Sequence, residues 1–298
     1  VASRGLGDVY KRQLAQPSVY LSQKAIDRRA RQHIAIDSTD LPVSTQYEKM
    51  LERQGTNVVS KSKWNNTVVV MTTDTLAVNR LKLLPFVVEV RKVWTSPDSI
   101  TLEKPRPKYH KELVLHDTVE ADTYGASKEQ LRMLGGQTLH SQGYRGKGIT
   151  IAVLDAGFTN ADLIPAFTNA NIVGLQDFVA TSKGKMFNSS THGTQVLSTM
   201  AVNVPDVYVG TAPEASYWLL RCEDQQSEQP VEEDYWAAAA EYADSVGVDV
   251  INSSLGFYEY DNPADSYRYW QQDGKTALIS RTASMLAGKG IVLSLIHI

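Results

Sequence analysis

The run Ile149–Leu154 (ITIAVL), closed by Asp155, constrains the fold more than any other part of this 298-residue chain. It is short, apolar and partly β-branched, which favours a strand buried on both faces. From about Tyr124 onward helix and strand patterns alternate around it. A helix-like segment spans Ser127–Ser141 and leads through GYRGKG into the strand. Another helix begins near His192, and Ser216–Arg221 is the next strand. A strong helix follows, with Pro230 near its start, Glu232, Glu233 and Asp234 in its first turn, and Gly247 just past its end. Val248–Ile251 is then a strand, and Thr282–Ala287 begins a further helix. The expected class is α/β, a doubly wound and mostly parallel sheet that binds ligands outside the carboxyl ends of its strands.

The front of the chain has a different grain. Residues 18–94 read as a small α+β unit: a short helix at Gln46–Arg53, strands at Asn57–Lys63 and Thr67–Thr72 around a turn at Asn65–Asn66, helical spacing over Thr75–Leu84, and a third strand at Val87–Trp94. Residues 95–123, with Pro97, Pro105 and Pro107, form a linker and an expected site of cleavage. Charge divides at the same place. Residues 1–94 carry 15 Lys/Arg against 8 Asp/Glu, and residues 95–298 carry 15 against 25, so the two parts could attract each other.

Composition excludes several classes. Net charge is −3, too near neutral for a nucleic-acid partner. No stretch approaches the roughly 20 apolar residues of a membrane span. Cys222 is the single cysteine, which rules out an intrachain disulfide and Cys-rich metal frameworks. The ends, residues 1–13 and 295–298, look like translated adapter or cloning sequence and are set aside from fold reasoning.

Three places could carry chemistry. Asp155 lies at the carboxyl edge of the expected sheet, where catalytic, phosphoacceptor and turn-capping aspartates all occur. His192 follows Ser189-Ser190-Thr191, good helix-capping residues, and would sit in a first turn where the helix dipole disfavours imidazolium. A histidine that merely caps a helix fits the same pattern. Val196, Leu197, Met200 and Ala201 give that helix an apolar face. Asn252–Gly256 (NSSLG), just past a strand end, could leave backbone groups free to pair with an extended peptide. The other histidines form no zinc-binding spacing.

Taken together these signals carry a resemblance. Aspartate first and then histidine on an open α/β sheet is one known chain order of a Ser-His-Asp triad. Leu139–Gly146 (LHSQGYRG), Ile149–Gly157 (ITIAVLDAG), His192-Gly193-Thr194, Gly210–Ala215 (GTAPEA) and Asn252–Gly256 occur in the order found in subtilisin-like serine proteases. The resemblance covers roughly residues 124–294. It implies that Asp155 orients the imidazole, that His192 is the general base and later the general acid, and that Ser254, Leu255 and Gly256 line the substrate. It implies protein or peptide substrates, no cofactor required for catalysis, and a structural calcium near Asp162. Residues 18–94 resemble the propeptide of such proteases, an intramolecular chaperone and inhibitor, and the location implied is secreted or periplasmic.

The departures matter as much. After Ala287-Gly-Lys-Gly290 the family runs into an Ala-Gly-Asn segment whose Asn serves the oxyanion, and later a Gly-Thr-Ser with the nucleophile. Neither segment occurs in these 298 residues. The chain itself is therefore expected to be inactive, a precursor fragment whose serine lies beyond residue 298. Two other classes fit less of the sequence. One is a non-catalytic pseudoprotease or peptide-binding module. The other is a phosphotransferase using Asp155, which would want a second Asp where Gly157 stands.

Overall fold

The computed structural model describes residues 14–96 and 123–296. The expected linker, 95–123, and the expected foreign residues 1–13 lie almost wholly outside the described residues, whereas of the expected foreign residues 295–298 Leu295 closes the strand Val292–Leu295 and the Ile296 amide donates to the Ser253 carbonyl at 3.2 Å. The chain folds into two compact units that do not follow sequence order: one joins the front segment to residues 226–247 and 257–292, and the other contains, among the described residues, 123–225, 248–256 and 293–296.

The first unit contains helices α1 (Gln23–Arg31), α2 (Thr45–Glu52) and α3 (Thr75–Lys82) and the antiparallel pair β1 (Asn57–Ser62) and β2 (Thr67–Met71). Ser22 caps α1 by accepting from the Ala25 amide, as a serine at that position should. The β1–β2 turn falls at Asn65–Asn66, with Asn66 left-handed. Val87–Trp94, expected as a third strand, forms no ladder. Its backbone instead meets a helix start, the Val93 carbonyl accepting from the Val231 amide at 3.0 Å.

The same unit holds the two longest described helices. To keep chain order the helices of the other unit are α4 (Lys128–Met133), α5 (Gly136–Ser141) and α6 (His192–Ala201), and these two are α7 (Val231–Val246) and α8 (Leu278–Gly288). β1 packs on α7, and α7 packs on α8. Two buried carboxylates join the front segment to α7, and a third joins it to the residue that follows α8. The Asp244 carboxylate takes Arg28 and Arg29, the latter at 2.8 Å, and all three side chains are within 1% of full burial. Glu241 accepts from the Ser62 hydroxyl and from the amides of Lys63 (2.8 Å) and Trp64 (3.1 Å). Asp40 takes Arg29 at 2.9 Å and Lys289 at 3.0 Å. The charge imbalance between front and back is therefore realised partly as buried pairs.

The second unit is built on the sheet. Strands β3 (Thr150–Asp155), β4 (Asn171–Asp177), β7 (Ser216–Arg221), β8 (Val250–Ser253) and β9 (Val292–Leu295) lie in the order β4-β7-β3-β8-β9. A two-residue pair, β5 (Asn203–Val204) with β6 (Tyr208–Val209), stands apart. The β3–β7, β3–β8 and β4–β7 pairings are parallel. β3 comes first in this part of the chain and sits centrally, with later strands added on both sides. Its carboxyl end is therefore a topological switch point. Every residue of β3 is buried. Ile151 and Val153 share one core with Phe158, Leu197, Ala201, Tyr217 and Leu219, so α6 covers that face of the sheet. The helix expected over Ser127–Ser141 is two short ones, broken at Gly135, whose φ of +68° is left-handed. The edge strand β4 had no clear sequence signal.

Candidate active site

Asp155 is the last residue of β3 and is fully buried. Its side chain shares a face with Ile151 and Val153, four and two residues earlier, which is the face covered by α6. The Ala156 amide donates to Asp155 Oδ1 at 2.8 Å. His192 begins α6, as expected. Its amide donates to the Ser190 hydroxyl at 3.1 Å, and Gln225 Nε2 also donates to that hydroxyl at 2.7 Å. Thr191, the capping position itself, makes no side-chain cap, so Ser190 one residue earlier does that work.

These two elements bring the carboxylate and the ring together. His192 Nδ1 lies 3.0 Å from Asp155 Oδ1 and 2.9 Å from Oδ2. An ionised carboxylate can only accept here, so Nδ1 carries a proton, and in the neutral ring Nε2 is the nitrogen with the lone pair. The carboxylate is sealed while the ring is 42% exposed, so the pair is anchored at one end and open at the other. Burial raises the Asp155 pKa above its usual value, opposed by the His192 hydrogen bond and charge and by the Ala156 amide. Close approach of the two elements depends on Gly193. A Cβ there would run into the Gly157 carbonyl oxygen and come within 2.9 Å of Asp155 Cβ and Cγ.

Ser254, Leu255 and Gly256 follow β8 without regular structure; the first two are half-buried and Gly256 is exposed. Leu154 pairs with Ser253, so Ser254 stands at the level of Asp155 along the same carboxyl edge. Asp162 is exposed, seven residues past Asp155. Among the described residues no group of three or more His, Cys, Asp or Glu is arranged to hold a metal ion. Among the described residues no helix is long and apolar enough to cross a membrane.

Sequence reasoning missed the residues that brace the Asp155 loop. Ser189 Oγ donates to the Ala156 carbonyl at 2.7 Å, and Arg221 Nε donates to it at 3.1 Å. The available signal was a charged residue closing the apolar strand YWLLR.

Residues 146–290 match the model of the subtilase family, and residues 8–109 match that of the peptidase S8 propeptide domain of Bacteroidota. Subtilisin E of Bacillus subtilis (strain 168) is 30% identical over 145 residues, 48% of this chain and 35% of that protein. Subtilisin of Bacillus pumilus is 32% identical over 120 residues, 40% of this chain and 41% of that protein. The chain thus spans well under two thirds of the curated relatives it matches. Among solved structures, the prenylagaramide maturation protease PagA aligns over 54% of this chain and 50% of its own, at 21% identity and a TM-score of 0.38. With an S8 propeptide segment in front of a subtilase segment, the chain belongs to the subtilisin-like serine protease family.

Proposed function

We propose that this chain is part of the precursor of a secreted or periplasmic serine endopeptidase, in which Asp155 and His192 activate a serine carried beyond residue 298. The observation that carries the reading is the hydrogen bond of His192 Nδ1 to a fully buried carboxylate at the switch point of the sheet. In that role His192 Nε2 takes the serine proton as the hydroxyl attacks the scissile carbonyl. Asp155 stabilises the imidazolium that forms and keeps the ring in the productive tautomer, and the same proton then passes to the leaving amine. Ser254, Leu255 and Gly256 pair with the extended substrate backbone.

These 298 residues contain no Gly-Thr-Ser, and no Ala-Gly-Asn follows Gly290. In this reading the chain alone does not hydrolyse peptides. Lack of an oxyanion donor by itself costs about 10²–10³ in rate. The front segment acts as propeptide, a role supported by the compact unit it forms with residues 226–247 and 257–292.

The test compares this chain with one extended through the downstream reading frame. Casein hydrolysis and labelling by a fluorophosphonate should be absent from the first and present in the second. Asp155→Asn in the extended chain should then lower kcat by about 10⁴. An extended chain that holds peptides but neither cleaves them nor takes the label would favour the peptide-binding reading instead.

A further inference from the structure

Arg221 closes β7 between two aspartates, in register with Asp155 on one side and Asp177 on the other. Its side chain is 1% exposed, an unusual place for a guanidinium. Each nitrogen has a different task. One terminal nitrogen donates to the Asp177 carboxylate at 3.1 and 3.2 Å and to the Ser182 carbonyl at 2.9 Å. The other donates to the Ser182 hydroxyl at 2.8 Å. Nε, nearest the strand, donates to the Ala156 carbonyl.

That last bond bears on the catalytic pair. The amide of Ala156 holds Asp155 Oδ1, and the carbonyl of the same residue is held by Arg221 from one side and Ser189 from the other. Fixing the carbonyl fixes how residue 156 is presented, and so fixes the amide that aims the carboxylate. We propose that Arg221 is a positioning residue for the Asp155–His192 pair, acting through the Ala156 backbone. The proposal rests on reading those two residues as catalytic partners.

Stability alone gives little reason for an arginine here. A well-packed apolar side chain often serves a buried site as well as an ion pair does. What an apolar residue cannot do is hold a carbonyl, and what lysine cannot do is hold three groups in three directions from a planar fork.

The experiment uses the 298-residue chain and reads the pair without turnover. Two signals are followed by NMR: the low-field proton on His192 Nδ1, and the titration of the Asp155 carboxyl carbon. Two variants are compared with the parent, Arg221→Lys and Arg221→Met/Asp177→Asn, which removes the Asp177 charge along with the guanidinium and leaves Asp224, 3.9 Å from the guanidinium in the parent, held by the Thr181 and Ser182 hydroxyls. In both, the Nδ1 proton should exchange with water several-fold faster. The Asp155 midpoint should rise by about half a pH unit or more, because an amide hydrogen bond to the carboxylate is weakened. Ser189→Ala, which removes the second clamp on the same carbonyl, should move both signals the same way. Folded variants with both signals unchanged would overturn the proposal. So would failure of both Arg221 variants to fold, which would assign the residue to the fold alone. A parent chain with no Nδ1 proton signal sensitive to Asp155→Asn would instead refute the catalytic-pair reading, and this proposal with it.

Discussion

Asp244→Asn should loosen the front segment from α7 by an amount that the buried geometry sets. Asp244 accepts from Arg28 and, through both oxygens, from Arg29 at 2.9 and 2.8 Å, with no side chain of the three more than 1% exposed. Removing its charge leaves two buried guanidiniums with one carboxylate fewer. Breaking a buried pair this way costs about 3–5 kcal/mol. Spread over the opening of that unit, the same energy lowers amide protection by roughly 10²–10⁴-fold. Hydrogen exchange at the amides of α1, β1 and β2 reads it directly. Glu48→Gln serves as the contrast. It breaks the Lys61–Glu48 pair, 3.0 Å long but with Lys61 46% exposed, and such pairs contribute about 0–1 kcal/mol. The reasoning fails if the two variants lose protection equally, or if Asp244→Asn loses less than about tenfold. Acid provides a second check. Burial pushes the Asp40 carboxyl up, but hydrogen bonds from Arg29, the Asp37 amide and Lys289 outweigh it and hold the pKa below its usual value. An acid depressed in the folded state adds stability that is complete above the ordinary carboxylate range and is lost as pH falls through the folded value. Protection of these amides by Asp40 should therefore persist to about pH 4 and decay only below it.

Two other substitutions probe different parts of the molecule. Gly193→Ala places a methyl against the Gly157 carbonyl and the Asp155 side chain, and should destabilise by about 1–3 kcal/mol while abolishing the His192 Nδ1 proton signal; a retained signal would refute the close-approach argument. Asp234, in the first turn of α7, is pushed by burial from 3.8 to about 7, with Arg91 lowering and Glu233 raising it. Between those values the folded state binds the extra proton, so its stability falls as pH rises through the window and levels off above it. Asp234→Asn should remove that slope and add a few kcal/mol at pH 8 relative to the parent. Urea unfolding at pH 5 and pH 8, followed by tryptophan fluorescence, checks both effects, and a slope unchanged in the variant would contradict the assignment.

What could be read from the sequence follows from the range of the interactions involved. β3 and β7 carry their own length and apolar content, and Ser216–Arg221 has the strand bounds expected. The first turn of α7 was legible too, but only as acids favouring a helix start. Glu232, Glu233 and Asp234 are in fact all buried. Glu233 accepts from the hydroxyls of Tyr260 and Tyr267, 27 and 34 residues away, and nothing local announces such partners. Val87–Trp94 failed as a strand because alternation specifies a face and not a neighbour, and its carbonyl found a helix amide. Asp155 and His192 were legible for a different reason: each sits at the end of an element, where chain order and small neighbours mark it. Arg221 was not, because its work is done by backbone groups that have no sequence signature.

The division of charge shows how far composition can carry such an inference. An excess of lysine and arginine in residues 1–94 against acids behind suggests diffuse attraction, which is long-ranged, screened by salt and indifferent to register. At α7 the structure uses charge in another way. Arg28 and Arg29 are adjacent on α1, and both reach the one carboxylate of Asp244, while Arg29 also spans to Asp40 and Asp40 to Lys289 just past α8. A shift of α1 by one turn along α7 would leave two guanidiniums and at least one carboxylate buried apart from each other. An apolar contact of the same area would tolerate that slip at far lower cost. The buried pairs therefore contribute less to how tightly the front segment is held than to where it is held. The substitution that tests this is one that removes charge from both sides at once. Arg28→Met/Asp244→Asn should recover much of the protection lost in Asp244→Asn alone, because Arg29 keeps Asp40 and one buried positive charge is gone. If the double variant is no better protected than the single one, Asp244 acts through its individual hydrogen bonds, and charge balance in the cluster has no part in setting the register.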